Sequence, residues 1–181
     1  VTESSWTLTA ADGELQVLTG VGGPAAKMGH RLTIAMASWQ AGVTWRGTKP
    51  VAADLVVEAD SLQVLKGEGG VTPLSGPEKV VVRSNALKSL DVKKYPQIRF
   101  AADDIAKTDT GYRMTGTVEI HGNSRPQVVD VDVDDHGGTW VMSAQVPVVQ
   151  TQFGVKPYSL FMGTLKIDDE VTIKFTARHP K

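Results

Sequence analysis

The sequence predicts an all-β protein: a single antiparallel, barrel-like domain of about eight strands with one or two short helices. Three observations lead there. Apolar and polar residues alternate with a period of two through most of the chain, turn-forming residues separate the alternating runs, and neither a βαβ rhythm nor an internal repeat is visible. At 181 residues the chain is long enough for one sizeable core, and no linker divides residues 1–181 into smaller units.

The elements follow in order. Asp12-Gly13 marks a turn ahead of the first strand. Leu32, Ile34 and Met36 share one parity, as do Val43 and Trp45. Val51, Ala53, Leu55 and Val57 alternate with polar positions such as Asp54 and Glu58. The stretch from Pro73 to Leu90 breaks the alternation. Ser75 or Gly76 offers an N-cap, Pro77 a first helical position and Glu78 a first-turn acid, so a helix is expected, with Val80, Val81, Leu87 and Leu90 toward the barrel. Pro96 ends it.

Strand patterning then resumes with Ile98, Phe100 and Ala102, and with Met114, Gly116, Val118 and Ile120. Val129, Val131 and Val133 alternate with Asp130, Asp132 and Asp134, the cleanest run in the chain. Trp140, Met142, Ala144 and Val146 follow, and Val171, Ile173, Phe175 and Ala177 finish. Gly122-Asn123 and His136-Gly137-Gly138 read as hairpin connections, and Phe153 to Ser159 as a loop. Closing the sheet into a barrel solves its edges and creates an interior. The inward parity carries Met36, Trp45, Phe100, Met114, Trp140 and Met142, either as the lining of a ligand cavity or as a packed core.

Composition excludes several functions. Nineteen basic and twenty acidic residues give a formal net charge of −1, no footprint for nucleic acid or an anionic membrane. Without cysteine there is no disulfide, thiolate metal site or cysteine nucleophile. No segment approaches the ~18 consecutive apolar residues of a membrane span. The first residues lack a basic and an apolar signal region, so a cytoplasmic location is expected, or a secreted or periplasmic one if the chain is a processed form.

Several segments together resemble the YceI-like family. They are Gly23-Pro24-Ala25-Ala26-Lys27-Met28-Gly29-His30-Arg31-Leu32-Thr33-Ile34, Val57 to Leu62, Lys94-Tyr95-Pro96-Gln97-Ile98-Arg99-Phe100, Met114 to Gly122, Gln152 to Ser159 and Asp169 to Ile173, in family order. The resemblance runs over residues 6 to 178. It implies an elongated, lipocalin-like antiparallel barrel, in some members holding a polyisoprenoid or similar lipid, with no catalytic activity established for most. The chain departs from the family's "RDxHL" helix motif, having Val82-Arg83-Ser84-Asn85-Ala86-Leu87 there.

His30 shares the inward parity and matches the family histidine. It reads as a headgroup contact or mouth anchor, or as a hydrogen-bonded structural histidine. His121, His136 and His179 lack metal-ligand spacing, and the aspartate row from Asp130 lacks the loop of a calcium site. Neither a Gly-x-Ser-x-Gly nor a phosphate-cradling loop is present. The sequence therefore points to a non-enzymatic carrier of a long apolar ligand (isoprenoid, quinone or fatty chain), with no metal and no cofactor. Its lining would be His30, Met36, Trp45, Phe100, Met114, Trp140 and Met142, with Phe153 and Tyr158 covering one mouth. The alternatives are an enzyme using His30 as acid or base and a filled structural barrel; a homodimer stays open.

Overall fold

A computed structural model describes residues 2–181. Among them are fourteen strands, one α-helix and four short 3-10 turns. The strands of the first half are β1 (Glu3–Thr9), β2 (Gly13–Leu18), β3 (Val21–Gly22), β4 (His30–Met36), β5 (Trp39–Arg46), β6 (Lys49–Glu58) and β7 (Leu62–Gly69). Helix α1 (Gly76–Leu90) follows. The second half holds β8 (Gln97–Lys107), β9 (Gly111–Ile120), β10 (Asn123–Asp135), β11 (Thr139–Val149), β12 (Ser159–Leu160), β13 (Leu165–Ile167) and β14 (Glu170–Pro180).

Eleven strands form one curled antiparallel sheet, in the order β1-β5-β6-β8-β9-β10-β11-β14-β2-β4-β7. The expected count of about eight is too low, because three long strands are each broken in two by a bend. After Thr9↔Gln40 the pairing of the first two strands resumes at Gln16↔Ala35, six intervening residues on one side facing four on the other. Between Met36↔Leu62 and Trp39↔Val57, two residues face four. The bends therefore work as wide bulges, which turn a strand without ending its pairing. Hydrogen bonds hold the second bend: Ala37 N–H to the Ser61 carbonyl, Glu58 N–H to the Ser38 carbonyl, and Ser38 N–H to Ser61 Oγ at 3.0 Å.

The consequence is closure. β1, β5 and β6 lie at one end of the sheet, and their continuations β2, β4 and β7 lie at the other. Eight passes of chain thus run around the molecule, and the lipocalin-like architecture implied by the sequence holds. One correction concerns the start: β1, carrying Trp6 and Leu8, precedes Asp12-Gly13.

Helix α1 fills the side of the barrel beyond the start of β8. Ser75 Oγ accepts from Glu78 N–H at 3.2 Å, and Glu78 Oε1 accepts from Ser75 N–H at 3.1 Å, a reciprocal capping box. These bonds hold the Glu78 carboxyl below its ordinary pKa. The helix is pinned by Arg83, whose guanidinium donates to the Leu62 and Asp60 carbonyls at 2.8 and 2.6 Å. Val82, Ala86, Leu87 and Leu90 pack inward. Of the two valines expected to face the barrel, Val81 borders the cavity while 59% exposed, and Val80, 69% exposed, does not. Three consecutive valines span an arc of about 200° on a helix, so they cannot all face one side.

A seam interrupts the sheet between β10 and β11. These strands pair only from Asp132↔Ser143 to Asp135↔Trp140, while β10 pairs with β9 along Asn123 to Asp132. The turn between β9 and β10 is His121-Gly122, with φ 54° and 72°, one residue earlier than expected. Its closing pair, Ile120↔Asn123, directs the odd-numbered backbone groups of β10 toward β9 and the even-numbered ones toward the seam. Val133 N–H, donating to the Thr110 carbonyl, agrees with that phase. Pro126 and Pro147 each lie where the missing N–H would point into the seam, which is where a sheet tolerates proline. The seam's far end is tied by Asn123 Nδ2 to the Phe153 carbonyl at 2.7 Å and Arg125 Nε to the Gln152 carbonyl at 2.9 Å.

Two predictions follow from these local arrangements. In native-state hydrogen exchange, the Val128 and Asp130 amides, which face the seam, should exchange much faster than those of Val129 and Val131; equal protection would mean that the seam is closed in solution. Ser75→Ala should cost about 1 kcal/mol in chemical denaturation by removing the α1 cap. The Glu78 half of the box, whose folded pKa is depressed, should stabilise the helix above the ordinary carboxylate range. That contribution should fade as pH falls through the lowered folded value. A Ser75→Ala variant with unchanged stability would contradict the capping role.

Candidate functional site

The inward parity encloses a cavity of about 1540 Å³ running through the barrel. Pockets for drug-sized ligands are roughly 300–1,000 Å³, so this one suits something longer. No polar or charged residue among the described ones is buried, so the closely packed parts of the wall are apolar. Two buried groups, Nε1 of Trp39 and of Trp45, have no hydrogen-bond partner. Each indole instead packs on an aromatic ring, Trp39 on Phe175 at 5.3 Å and Trp45 on Trp6 at 4.7 Å.

Packing separates a hollow barrel from a filled one. In a filled core the large side chains lose nearly all their exposure. Here Met36, Trp39 and Phe153 do so, whereas several other large inward side chains do not. Trp45, Phe100, Met114 and Trp140 point inward yet stay partly accessible, because one side of each faces space.

All nine residues singled out from the sequence line this cavity: His30, Met36, Trp45, Phe100, Met114, Trp140, Met142, Phe153 and Tyr158. They divide by position. Trp45 and Trp140 stand at one end, where Trp6 also stacks on His179 with centroids 3.8 Å apart. Lys181 lies over the Trp140 ring at 4.4 Å and reaches Asp135 at 2.5 Å. Met36, Phe100, Met114 and Met142 occupy the strand interiors. Phe153 is buried, whereas Tyr158 is 37% exposed at the other end, near His30.

His30 sits at the start of β4, beneath the segment that joins β7 to α1. Its Nε2 lies 2.7 Å from the Thr72 carbonyl oxygen, which can only accept, so Nε2 carries a proton there. Gly70 passes over the ring with φ +75°; a Cβ at that position would lie 2.7 Å from His30 Nε2, so glycine is required twice over. No carboxylate or hydroxyl among the described residues hydrogen-bonds the imidazole. The ring clamps the edge of the mouth, with the Glu78 carboxylate within electrostatic reach.

The aspartate row of β10 is a solvated face with cross-strand partners. Asp130 meets Arg113 in a two-point contact at 2.7 and 3.1 Å, and Asp132 accepts from Thr110 Oγ1 at 2.6 Å. The Arg113 partnership lowers the Asp130 pKa and raises that of Arg113. Among the described residues no group of three or more His, Asp or Glu has the arrangement of a metal site.

The sequence reading missed part of the wall. Val82 and Ala86 of α1 line the cavity beside the expected Leu90, as do Leu160, Phe161 and Leu165 of the β12–β13 hairpin. The hairpin leaves little signal because its strands are two and three residues long. The seam had a readable sign in Pro126 and Pro147, two prolines inside otherwise regular strands.

The YceI-like domain model matches residues 6–179. The chain belongs to the YceI-like family. YceI-like proteins are known as polyisoprenoid-binding barrels. Among solved structures, Burkholderia cenocepacia BcnA is 20% identical, with a TM-score of 0.69 over 94% of this chain and 98% of its own. The Campylobacter jejuni YceI protein, which crystallises with large solvent channels, is 14% identical, with a TM-score of 0.62 over 82% of this chain and 84% of its own. At these identities the likeness speaks for the fold. No curated protein matches the chain significantly. No helix among the described residues is long and apolar enough to cross a membrane.

The clamp role of His30 is testable. Thr72 is exposed, so its carbonyl turns to water when the ring is removed, and His30→Ala should cost only about 0.5–1.5 kcal/mol. Limited proteolysis within residues 70–75 should accelerate at the same time. An unchanged cleavage rate would contradict the clamp.

Proposed function

We propose that this YceI-like protein binds and carries a long apolar molecule (an isoprenoid, a quinone or a fatty chain) within its barrel. One observation carries the proposal: a cavity of about 1540 Å³, walled mainly by half-accessible apolar and aromatic side chains.

Magnitudes favour length over a charged anchor. Each buried CH₂ contributes about 0.8 kcal/mol, whereas association costs on the order of 4–15 kcal/mol. Micromolar binding, about −8 kcal/mol net, then needs on the order of 20 buried methylenes. A drug-sized pocket does not supply that contact; a cavity running the length of the barrel does. Methionines at positions 36, 114 and 142 adapt to a chain of variable shape. His30 and Lys166 are among the polar residues that line the cavity and could meet a headgroup.

Met114→Trp tests the reading, because Met114 lies in mid-wall. Wild-type protein should bind a fluorescent polyprenyl probe saturably. Met114→Trp should remain folded and lose uptake by tenfold or more, since the indole takes the space of the chain. In a filled barrel, overpacking would instead cost about 1–3 kcal/mol of stability, with no uptake to lose. Absence of saturable binding of any polyprenyl or fatty-chain probe by wild-type protein would overturn the proposal.

A further inference from the structure

Apolar side chains are exposed very unevenly over this molecule. Of the ten large hydrophobic residues strongly exposed among the described ones, Val128 lies along β10. The other nine sit on the half of the barrel that holds His30 and α1. Val71 is 80% exposed, Val80 69%, Phe161 60%, Met28 53%, and Met162 104%.

The most exposed of them are held outward by the backbone. Phe161, Met162 and Gly163 have φ of 51°, 55° and 87°, three successive left-handed residues, a conformation that side-chain-bearing residues rarely adopt. Their hairpin is not loose. Ile167 N–H donates to the Tyr158 carbonyl at 2.9 Å, Thr164 Oγ1 to the Phe161 carbonyl at 2.8 Å, and Ala25 N–H to the Thr164 carbonyl at 2.7 Å. A strained, well-tied turn thus presents Phe161 and Met162 to the outside, where water offers them nothing.

The apolar points surround the cavity mouth and carry cations beside them. Met28, Val81, Leu160 and Phe161 line the mouth. Lys27 precedes Met28, Lys79 precedes Val80-Val81, and Lys156 lies two residues before Tyr158. None of these lysines is in an ion pair among the described residues. Of the nearby carboxylates, Glu78 is engaged in the helix cap, Glu68 with Lys66, and Asp169 with Thr151 N–H and Oγ1, while the Asp168 carboxylate lies against Gly20 and Gly22.

We propose that the rim formed by Met28, Val80, Val81, Phe161 and Met162 docks on the surface of a lipid bilayer, its lysines meeting anionic headgroups, so that the cavity mouth opens directly onto the acyl region. Apolar tips dip into the headgroup boundary while flanking lysines add attraction, which makes docking reversible and sensitive to anionic lipid and to salt. The near-neutral whole chain does not oppose this, because the lysines are local to the rim. The inference rests on the proposed function, which supplies the reason for bringing this mouth to a membrane.

The test uses Val80→Ser/Met162→Ser; both positions are exposed and neither lines the cavity. Sedimentation with phosphatidylcholine vesicles, with and without phosphatidylglycerol, is measured alongside polyprenyl-probe binding in vesicle-free solution. Wild-type protein should sediment, more strongly with phosphatidylglycerol present. The variant should bind vesicles on the order of tenfold more weakly while keeping its probe affinity. Wild-type protein that binds probe but no vesicle would overturn docking and leave the carrier reading intact. Equal vesicle binding by the variant would also overturn it, as would a rim-dependent dimer in sedimentation velocity that ignores vesicles. Rim-dependent vesicle binding without probe binding would support docking and remove the carrier reading instead.

Discussion

The structure depends on three strands that bend without losing their partners. Residues 3–18, 30–46 and 49–69 each leave one end of the sheet and enter the other, and their mutual pairing resumes across each bend. Had the pairing stopped at the bends, the molecule would present long unpaired edges, which proteins otherwise cover or blunt. Because it continues, one face of every pass is turned inward. Leu8, Leu15, Leu32, Ile34, Met36 and Ala177 join into one core cluster, although they come from strands far apart in the sheet order.

Closure over such long strands creates more interior than the side chains fill. The packed clusters, one around Leu8 and Met36 and one around Val118, Phe153 and Val171, line the wall in two regions. Helix α1 covers the side where β7 outruns β8, and Leu90 touches both clusters. The seam between β10 and β11 is the remaining discontinuity. Its prolines leave less unpaired hydrogen-bonding capacity than ordinary residues would, and the Gln127 side chain donates to the Val128 carbonyl at 2.9 Å. The barrel can therefore leave that ladder open at modest cost, and a ladder left open is easier to widen than one fully bonded.

Features set by neighbouring residues were legible in the sequence, and features set by distant contacts were not. Val129, Val131 and Val133 could be placed inward from alternation alone, because parity fixes the face. The α1 cap could be read because Ser75, Pro77 and Glu78 carry their own geometry. Which way Val80, Val81 and Val82 point depends on how the helix rolls against β7, and three adjacent valines give no stripe to decide it. The bends at Ala37-Ser38 and Ala59-Asp60-Ser61 contain neither glycine nor proline, so nothing local announced them. β1 was missed because Glu3-Ser4-Ser5 hides the alternation that Trp6 and Leu8 complete. Of the candidate site, the wall residues on regular strands were legible, His30 was recognised as ambiguous, and its partner Thr72 was not foreseeable because a loop contact decides it.

The central claim is that this barrel is hollow in order to be occupied. Native mass spectrometry of the protein purified from its own source tests it most directly, since a tightly held apolar molecule survives gentle ionisation and leaves when the chain is denatured in organic solvent. The account predicts folded protein carrying one additional apolar mass, released on denaturation and extractable into solvent. Folded protein at the bare chain mass, unable to take up a polyprenyl or fatty-chain compound supplied in excess, would contradict it.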